Sequence, residues 1–233
     1  MGVYEILIFI GMCILSYLLG GVSIARLITK KESVGGIKTQ GSGNPGTMNM
    51  LRTHGIVLGL FTLMCDALKG VIPSLFGLLF FSEFCDVKIG YIALYAFGLC
   101  AVIGHIYPIY YKFKGGKGIA TTFGIFMVAD PIGSLIVFGI MFLTLFVIKI
   151  GSVVSLLFIT IMTTVQLFKL VMDGNWIAIV LMIIMVVLDV YAHRQNLSRL
   201  VDNKENPADL QAGIKKDIDR LKSKKKQKEQ DEE

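Results

Sequence analysis

Charge is what this chain has least of. Only 17% of its 233 residues are charged, where a soluble domain of similar size carries about 25%. Also missing is any CxxC pair. Cys13, Cys65, Cys85 and Cys100 stand far apart, three of them in apolar runs, which argues against a zinc site or a disulfide framework and for thiols that act as small hydrophobes. No basic n-region precedes the first apolar stretch, and that stretch is too long for the h-region of a signal peptide. It reads as a retained span. Apolar residues are plentiful instead, at 54% of the chain with a mean hydropathy of +0.69. Together these features exclude a soluble globular domain and imply an all-α, polytopic membrane protein, because only helices or closed barrels satisfy their backbone in lipid.

Apolar segments fall at about 3–28, 55–81, 89–108, 118–130, 132–149, 151–171 and 175–192. The fourth is too short to span unaided, so it is either broken and shielded by protein or the count is six. Loop charge decides between them. The loop from Lys30 to Arg52 carries Lys30, Lys31, Lys38 and Arg52 against Glu32, the next basic loop has Lys112, Lys114 and Lys117, and the segment after the last span has Arg194 and Arg199. "SEFCDVK", "ADPIG" and "MDGNW" are acidic or nearly neutral. Cytoplasmic loops collect Lys and Arg. Seven crossings put every basic loop on the cytoplasmic face, with the N-terminus outside and the C-terminus inside. Residues 1–206 form the expected membrane domain, and 207–233 a charged cytoplasmic tail, disordered or partly helical, ending in the mixed-charge run "KSKKKQKEQDEE".

Three polar clusters share that face. In "GSGNPGTMNMLRTHG" (41–55), Ser42, Gly43, Asn44, Asn49 and Arg52 combine backbone freedom with hydroxyl, amide and guanidinium groups. Such a stretch is often only a turn, but Asn49 and Arg52 stand three apart on one side of a helix, and the Arg fork suits phosphate. In "GHIYPIYYKFKGGKGIATTFG" (104–124), His105 ends a span, Lys114 and Lys117 supply charge, and Gly115 and Gly116 allow backbone amides to turn toward an anion at a helix start. A nucleotide P-loop is excluded, because Tyr111 and Gly118 break GxxxxGK[ST]. Lys112 is as well explained by topology as by binding. In "HRQNLSRLVDNKEN" (193–206), His193 and Asn196 share a helical face, Asn196 and Arg199 repeat the step, and Asp189 stands four residues before His193, able to orient its ring. A fourth feature, Asp66 and Lys69 within an apolar run, is expected to pair internally or face a pocket.

These clusters, in this order, resemble the three signature motifs of the bacterial acyl-phosphate:glycerol-3-phosphate acyltransferase (PlsY) family. "DALKG" matches a further family feature, and the likeness runs from about residue 14 to 206. Departures are "GTMN" where the family reads GATN, Gly21-Val22-Ser23 for Ser-Ile-Pro, and Asn203 for a glycine next to Glu205. The resemblance implies transfer of a fatty acyl group from acyl phosphate to the 1-hydroxyl of glycerol-3-phosphate, yielding lysophosphatidic acid and inorganic phosphate. It implies no cofactor and no metal. Its partners are the two substrates and membrane lipids, with no nucleic acid; the enzyme that makes acyl phosphate is a candidate partner. Lys114, Lys117, Gly115 and Gly116 would hold the acyl phosphate. Ser42, Asn44, Arg52 and Lys69 would hold glycerol-3-phosphate, with Gly43, Asn49, Arg199 and Glu205 completing the site. His193 and Asn196 would orient the hydroxyl, and the base is His105, His193 or the substrate phosphate. The H-x4-D dyad of soluble glycerolipid acyltransferases is absent: His54, His105 and His193 are followed at that spacing by Gly59, Tyr110 and Ser198. An enzyme without it needs a better leaving group, which a mixed carboxylic–phosphoric anhydride supplies. A CDP-alcohol phosphotransferase would need an array of metal-binding aspartates, and a transporter would place its polar groups near midplane.

Overall fold

The structure, a computed structural model, describes residues 1–30, 36–208 and 210–231. Lys31 and Glu32 of the first basic loop lie outside the described residues, as do the last two residues of the tail. The described residues form helices α1 (Val3–Gly21), α2 (Ile24–Thr29), α3 (Thr47–His54), α4 (Ile56–Phe84), α5 (Val87–Ile106), α6 (Ile119–Ala129), α7 (Pro131–Ile148), α8 (Gly151–Met172), α9 (Trp176–Ala192), α10 (Arg194–Val201) and α11 (Leu210–Asp231). Among the described residues, five stretches are long and apolar enough to cross a membrane, and a sixth results if α9 and α10, bent by 50°, count as one.

The short fourth apolar segment becomes α6, with 11 residues. At 1.5 Å per residue it reaches about half of a ~30 Å hydrocarbon core. Thr121, Thr122, Gly124, Ile125 and Phe126 are buried, so protein shields its backbone. Glycines create that shielding. A Cβ on Gly70 would overlap the Thr121 carbonyl, and one on Gly124 the Ala67 carbonyl, so α4 and α6 touch backbone to backbone. Gly20 and Gly104 bring α1 and α5 together against the carbonyls of Ala101 and Tyr17. Close approach through small residues is how helices pack where lipid leaves no hydrophobic drive. Helix α5 occupies the centre, with Leu94, Tyr95, Phe97 and Val102 fully buried. Large apolar residues of α7, such as Ile132, Leu143 and Val147, stay exposed, as a lipid-facing helix requires.

The nearly neutral loops have a structural reason for their polar residues. Asp86, Asp130 and Asn175 are the N-caps of α5, α7 and α9, accepting from the amides of Ile89 (2.9 Å), Gly133 (3.1 Å) and Ala178 (3.3 Å). Lys169 pairs with Asp130 at 2.7 Å, and the Asn175 amide donates to the Lys88 carbonyl at 2.9 Å. At the opposite ends, α3, α4, α6 and α8 have no cap from their own N-cap side chains.

The tail from Leu210 on is helical through Asp231. Leu210 is buried, and the Asp217 carboxylate accepts from the Ile56 and Val57 amides at 2.8 and 3.1 Å, capping α4 from 160 residues away. The Lys216 ammonium donates to the Arg52 carbonyl at 2.6 Å, at the end of α3. One helix thus secures both sides of the Gly55 corner.

Candidate active site

The three polar clusters meet in one cavity of about 190 Å³. Ser42, Asn44, Asn49 and Arg52 line it from the first motif, His105 and Lys117 from the second, and His193, Asn196, Arg199 and Glu205 from the third. Three segments far apart in the chain therefore lie at the same end of the bundle. Beyond the polar end the walls turn apolar, with Leu63 of α4, Phe123 of α6, Phe138 and Phe142 of α7, and Phe158 of α8. Phe123 stacks on Phe138 with ring centres 4.6 Å apart and meets Phe158 edge-on at 5.6 Å. Ser42, exposed at the loop end, and Leu60, exposed on the flank of α4, both line the cavity. It opens toward the loops and also sideways.

The polar end is a chain of contacts. The Lys117 ammonium donates to the Asn196 carbonyl oxygen, the Asn196 amide donates to Glu205 at 2.5 Å, and Arg199 donates to the other Glu205 oxygen at 2.9 Å. Arg52 reaches the same corner and donates to the Asn206 and Pro207 carbonyls at 3.0–3.3 Å. Arg199 thus pairs with Glu205 while Lys117 and Arg52 rest on neutral oxygens, leaving an excess of positive charge that an anion would complete. Burial pushes the Lys117 ammonium down to about 8; Glu205 pulls it up, and Arg199 and Arg52 push it further down. Burial likewise disfavours the charge of Arg52. Asn203 makes the turn into Glu205 with φ +54°, a left-handed conformation that asparagine tolerates.

His193 ends α9 and is buried, and its Nδ1 lies 2.8 Å from the main-chain carbonyl of Asp189. A carbonyl only accepts, so Nδ1 carries the hydrogen and Nε2 keeps a lone pair. The ring is oriented by the Asp189 main chain, not by its carboxylate as the spacing had indicated. That carboxylate instead accepts from Thr122 at 2.6 Å and fills the space where Gly118 lacks a side chain. Gly118 opens α6 with φ +90°, and the uncapped first turn of α6 lines the cavity through Gly118, Ile119 and Ala120. Its positive dipole end adds to the excess charge there.

Other expected site residues lie as follows. The Gly115 and Gly116 amides donate to the Ile106 and His105 carbonyls at 3.0 Å each, so they are already engaged. Their lack of a Cβ lets the loop lie on His105, since a side chain at Gly116 would strike the imidazole. Lys114 is exposed and does not line the cavity, although its carbonyl accepts from Arg26, whose guanidinium lies 4.3 Å over the Tyr111 ring. Lys69 is buried and bonded to Asp66 at 2.5 Å; Asp66 lines the cavity, Lys69 does not. Asp66 also lies 3.9 Å from His105 Nδ1. Gly43, with φ +70°, shapes the Ser42 turn without lining the cavity. Asn49 uses both ends of its amide on that turn, accepting from the Ser42 amide at 2.9 Å and donating to the Gln40 carbonyl at 3.0 Å.

Two polar lining residues escaped the sequence reading. Ser152 and Ser155 stand one turn apart at the start of α8, and the Ser152 hydroxyl is buried with no partner among the described residues. Their only signal was a pair of hydroxyls three apart in an apolar run.

The profile of the glycerol-3-phosphate acyltransferase family matches residues 10–203. The glycerol-3-phosphate acyltransferase of Geotalea daltonii is 36% identical over 202 residues, 87% of this chain and 96% of that protein. That of Halalkalibacterium halodurans is 38% identical over 200 residues, covering 82% and 91%. Crystal structures of PlsY, an integral membrane glycerol 3-phosphate acyltransferase, superpose with TM-scores of 0.74 in the glycerol 3-phosphate form and 0.72 in the lysophosphatidic acid form. Identities are 28% and 29%, over 85% and 88% of this chain and 94% and 98% of those chains. Motif order, an all-helical membrane fold and near full-length similarity converge, and the chain belongs to the glycerol-3-phosphate acyltransferase (PlsY) family.

Proposed function

We propose that this protein transfers a fatty acyl group from acyl phosphate to the 1-hydroxyl of glycerol-3-phosphate, releasing lysophosphatidic acid and inorganic phosphate. The observation that carries this is the two-part cavity, with an apolar aromatic trough leading into a corner where Arg52, Lys117 and Arg199 gather around Glu205. That pairing suits a tailed donor and a small phosphate-bearing acceptor better than a channel, whose polar groups would line a through-path at midplane.

In the reaction, the glycerol-3-phosphate oxygen attacks the acyl carbon, the bond from that carbon to the bridging phosphate oxygen breaks, and the hydroxyl proton ends on the departing phosphate. Lys117 and the α6 N-terminus hold the leaving phosphate, where charge develops in the transition state. Arg52, Ser42 and Asn44 hold the glycerol-3-phosphate. His193 Nε2 receives the hydrogen bond of the attacking hydroxyl, and Asn196, fixed between Lys117 and Glu205, keeps the two substrates in register. Among the histidines, His105 is the weaker candidate for proton transfer, because the Gly116 backbone covers its ring. The basic loops argue that the site faces the cytoplasm.

Purified protein given palmitoyl phosphate and labelled glycerol-3-phosphate should form labelled lysophosphatidate, while palmitoyl-CoA in a parallel tube should not replace the donor. Product formed equally well from the thioester would overturn the assignment of donor. Near-normal turnover by Lys117→Ala would remove Lys117 from the mechanism.

A further inference from the structure

The match to the family profile ends at residue 203, before α11 begins. We infer that α11 is an interfacial helix that binds the surface of an anionic bilayer beside the active-site end of the bundle.

Three observations lead there. The first is position: Asp217 caps the first turn of α4, so α11 is held at the level where a membrane span begins. The second is an apolar row left exposed among the described residues. Ile214, Ile218 and Leu221 recur at the i, i+4, i+7 spacing and are 44%, 46% and 68% exposed. By the 100° step of a helix this row lies roughly 110° around from the face that packs on the α3–α4 corner through Gly213, Lys216 and Asp217. A row exposed to water on a helix already packed on its neighbour gains nothing, whereas the adjacent headgroup layer would bury it. The third is charge. Within α11 there are eight Lys and Arg residues against Asp217, Asp219, Glu229 and Asp231, and Asp217 is occupied as the cap. Exposed Lys215 and Lys222 run along one edge of the apolar row. An apolar row edged by cations suits an interface rich in anionic lipid, and it fits a protein partner only if that partner is itself acidic and apolar.

The test uses the full chain. Trp176 is its single tryptophan, so Trp176→Phe combined with Ile218→Trp places the sole indole on α11. The protein is reconstituted into vesicles of phosphatidylcholine alone or with roughly 30% phosphatidylglycerol, each with brominated acyl chains. Blue-shifted emission and about a twofold or greater loss of intensity in the anionic vesicles, with less in the neutral ones, is the expected result. Replacing Lys222, Lys224, Lys225, Lys226 and Lys228 with Gln should erase the difference between the two lipids. Leu221→Trp in the same background is the second probe, and retained helicity by circular dichroism guards against misfolding. Red-shifted, unquenched emission from both probes would overturn the inference, whether the helix then lies in water, on a second copy or on a soluble protein. Equal quenching in both vesicle types would overturn its anionic selectivity.

Discussion

Lys117 stands half out of water beside two other cations, and its charge at neutral pH rests on a narrow margin. Burial lowers its ammonium to about 8, so the protonated fraction falls as pH rises through that value. For the proposed reaction kcat/KM should decline about tenfold per unit above pH 8, because that ratio reports the free enzyme. The decline in kcat should come later, since a bound phosphate favours the ammonium. Lys117→Arg, whose guanidinium stays charged, should lose this alkaline limb, and an unchanged pH profile in that variant would assign the limb to another group. Lys117→Ala removes a charge donor from the developing phosphate and should lower kcat by about 10²–10³-fold. At this scale the sequence was informative about chemistry and poor about orientation. Charged and amide residues gathered in the motifs pointed to an anion site, and that inference needs only composition. What it could not supply was which groups spend their hydrogen bonds on the chain itself. Gly116, Asn49 and Lys69 have the right chemistry, yet their partners, the His105 carbonyl, the Ser42 amide and Asp66, are decided by packing.

Helices here are fixed to one another through missing side chains and long-range caps. Gly124 lies against the Ala67 carbonyl, so Gly124→Val must push α6 off α4. Forced overpacking costs about 1–3 kcal/mol, to be read as a lower midpoint of thermal unfolding in detergent. Because α6 carries the cavity wall, activity should fall even in the folded fraction; unaltered stability would show that the helices can separate freely. Asp217→Ala removes the cap of α4 and should cost about 1 kcal/mol, while Asp217→Asn retains an acceptor and should lose less. Hydrogen exchange at Ile56 and Val57 measures this directly, and protection equal to wild type would deny the cap. Element existence was readable from hydropathy, since all seven apolar segments became helices. Boundaries at Gly55 and Gly118 were marked by their glycines. The tail's contact with α4 was invisible because a carboxylate in a run of mixed charge carries no sign that its partner lies 160 residues upstream.

Over the whole molecule, the alternation of basic and nearly neutral loops predicts sidedness. Cys85 sits in a loop at the end opposite the motifs, partly exposed. In a variant keeping only this cysteine, a membrane-impermeant maleimide should label intact cells. Lys114→Cys in a cysteine-free background should label only after permeabilisation. The reverse pattern would invert the topology and place the site outside. Basic loops at the motif end hold the clue to sidedness, but the same cations also serve the cavity, so charge alone could not separate address from chemistry.

The side opening at Leu60 and the loop-end opening at Ser42 give a single chamber with one wet door and one oily door. For the proposed reaction, a hydrophilic acceptor and a lipid-dissolved donor would then arrive without competing for an entrance. Departure would be sorted the same way, orthophosphate to bulk water and the new monoacyl lipid into the leaflet. Diluting the two products into separate phases would draw the exchange forward.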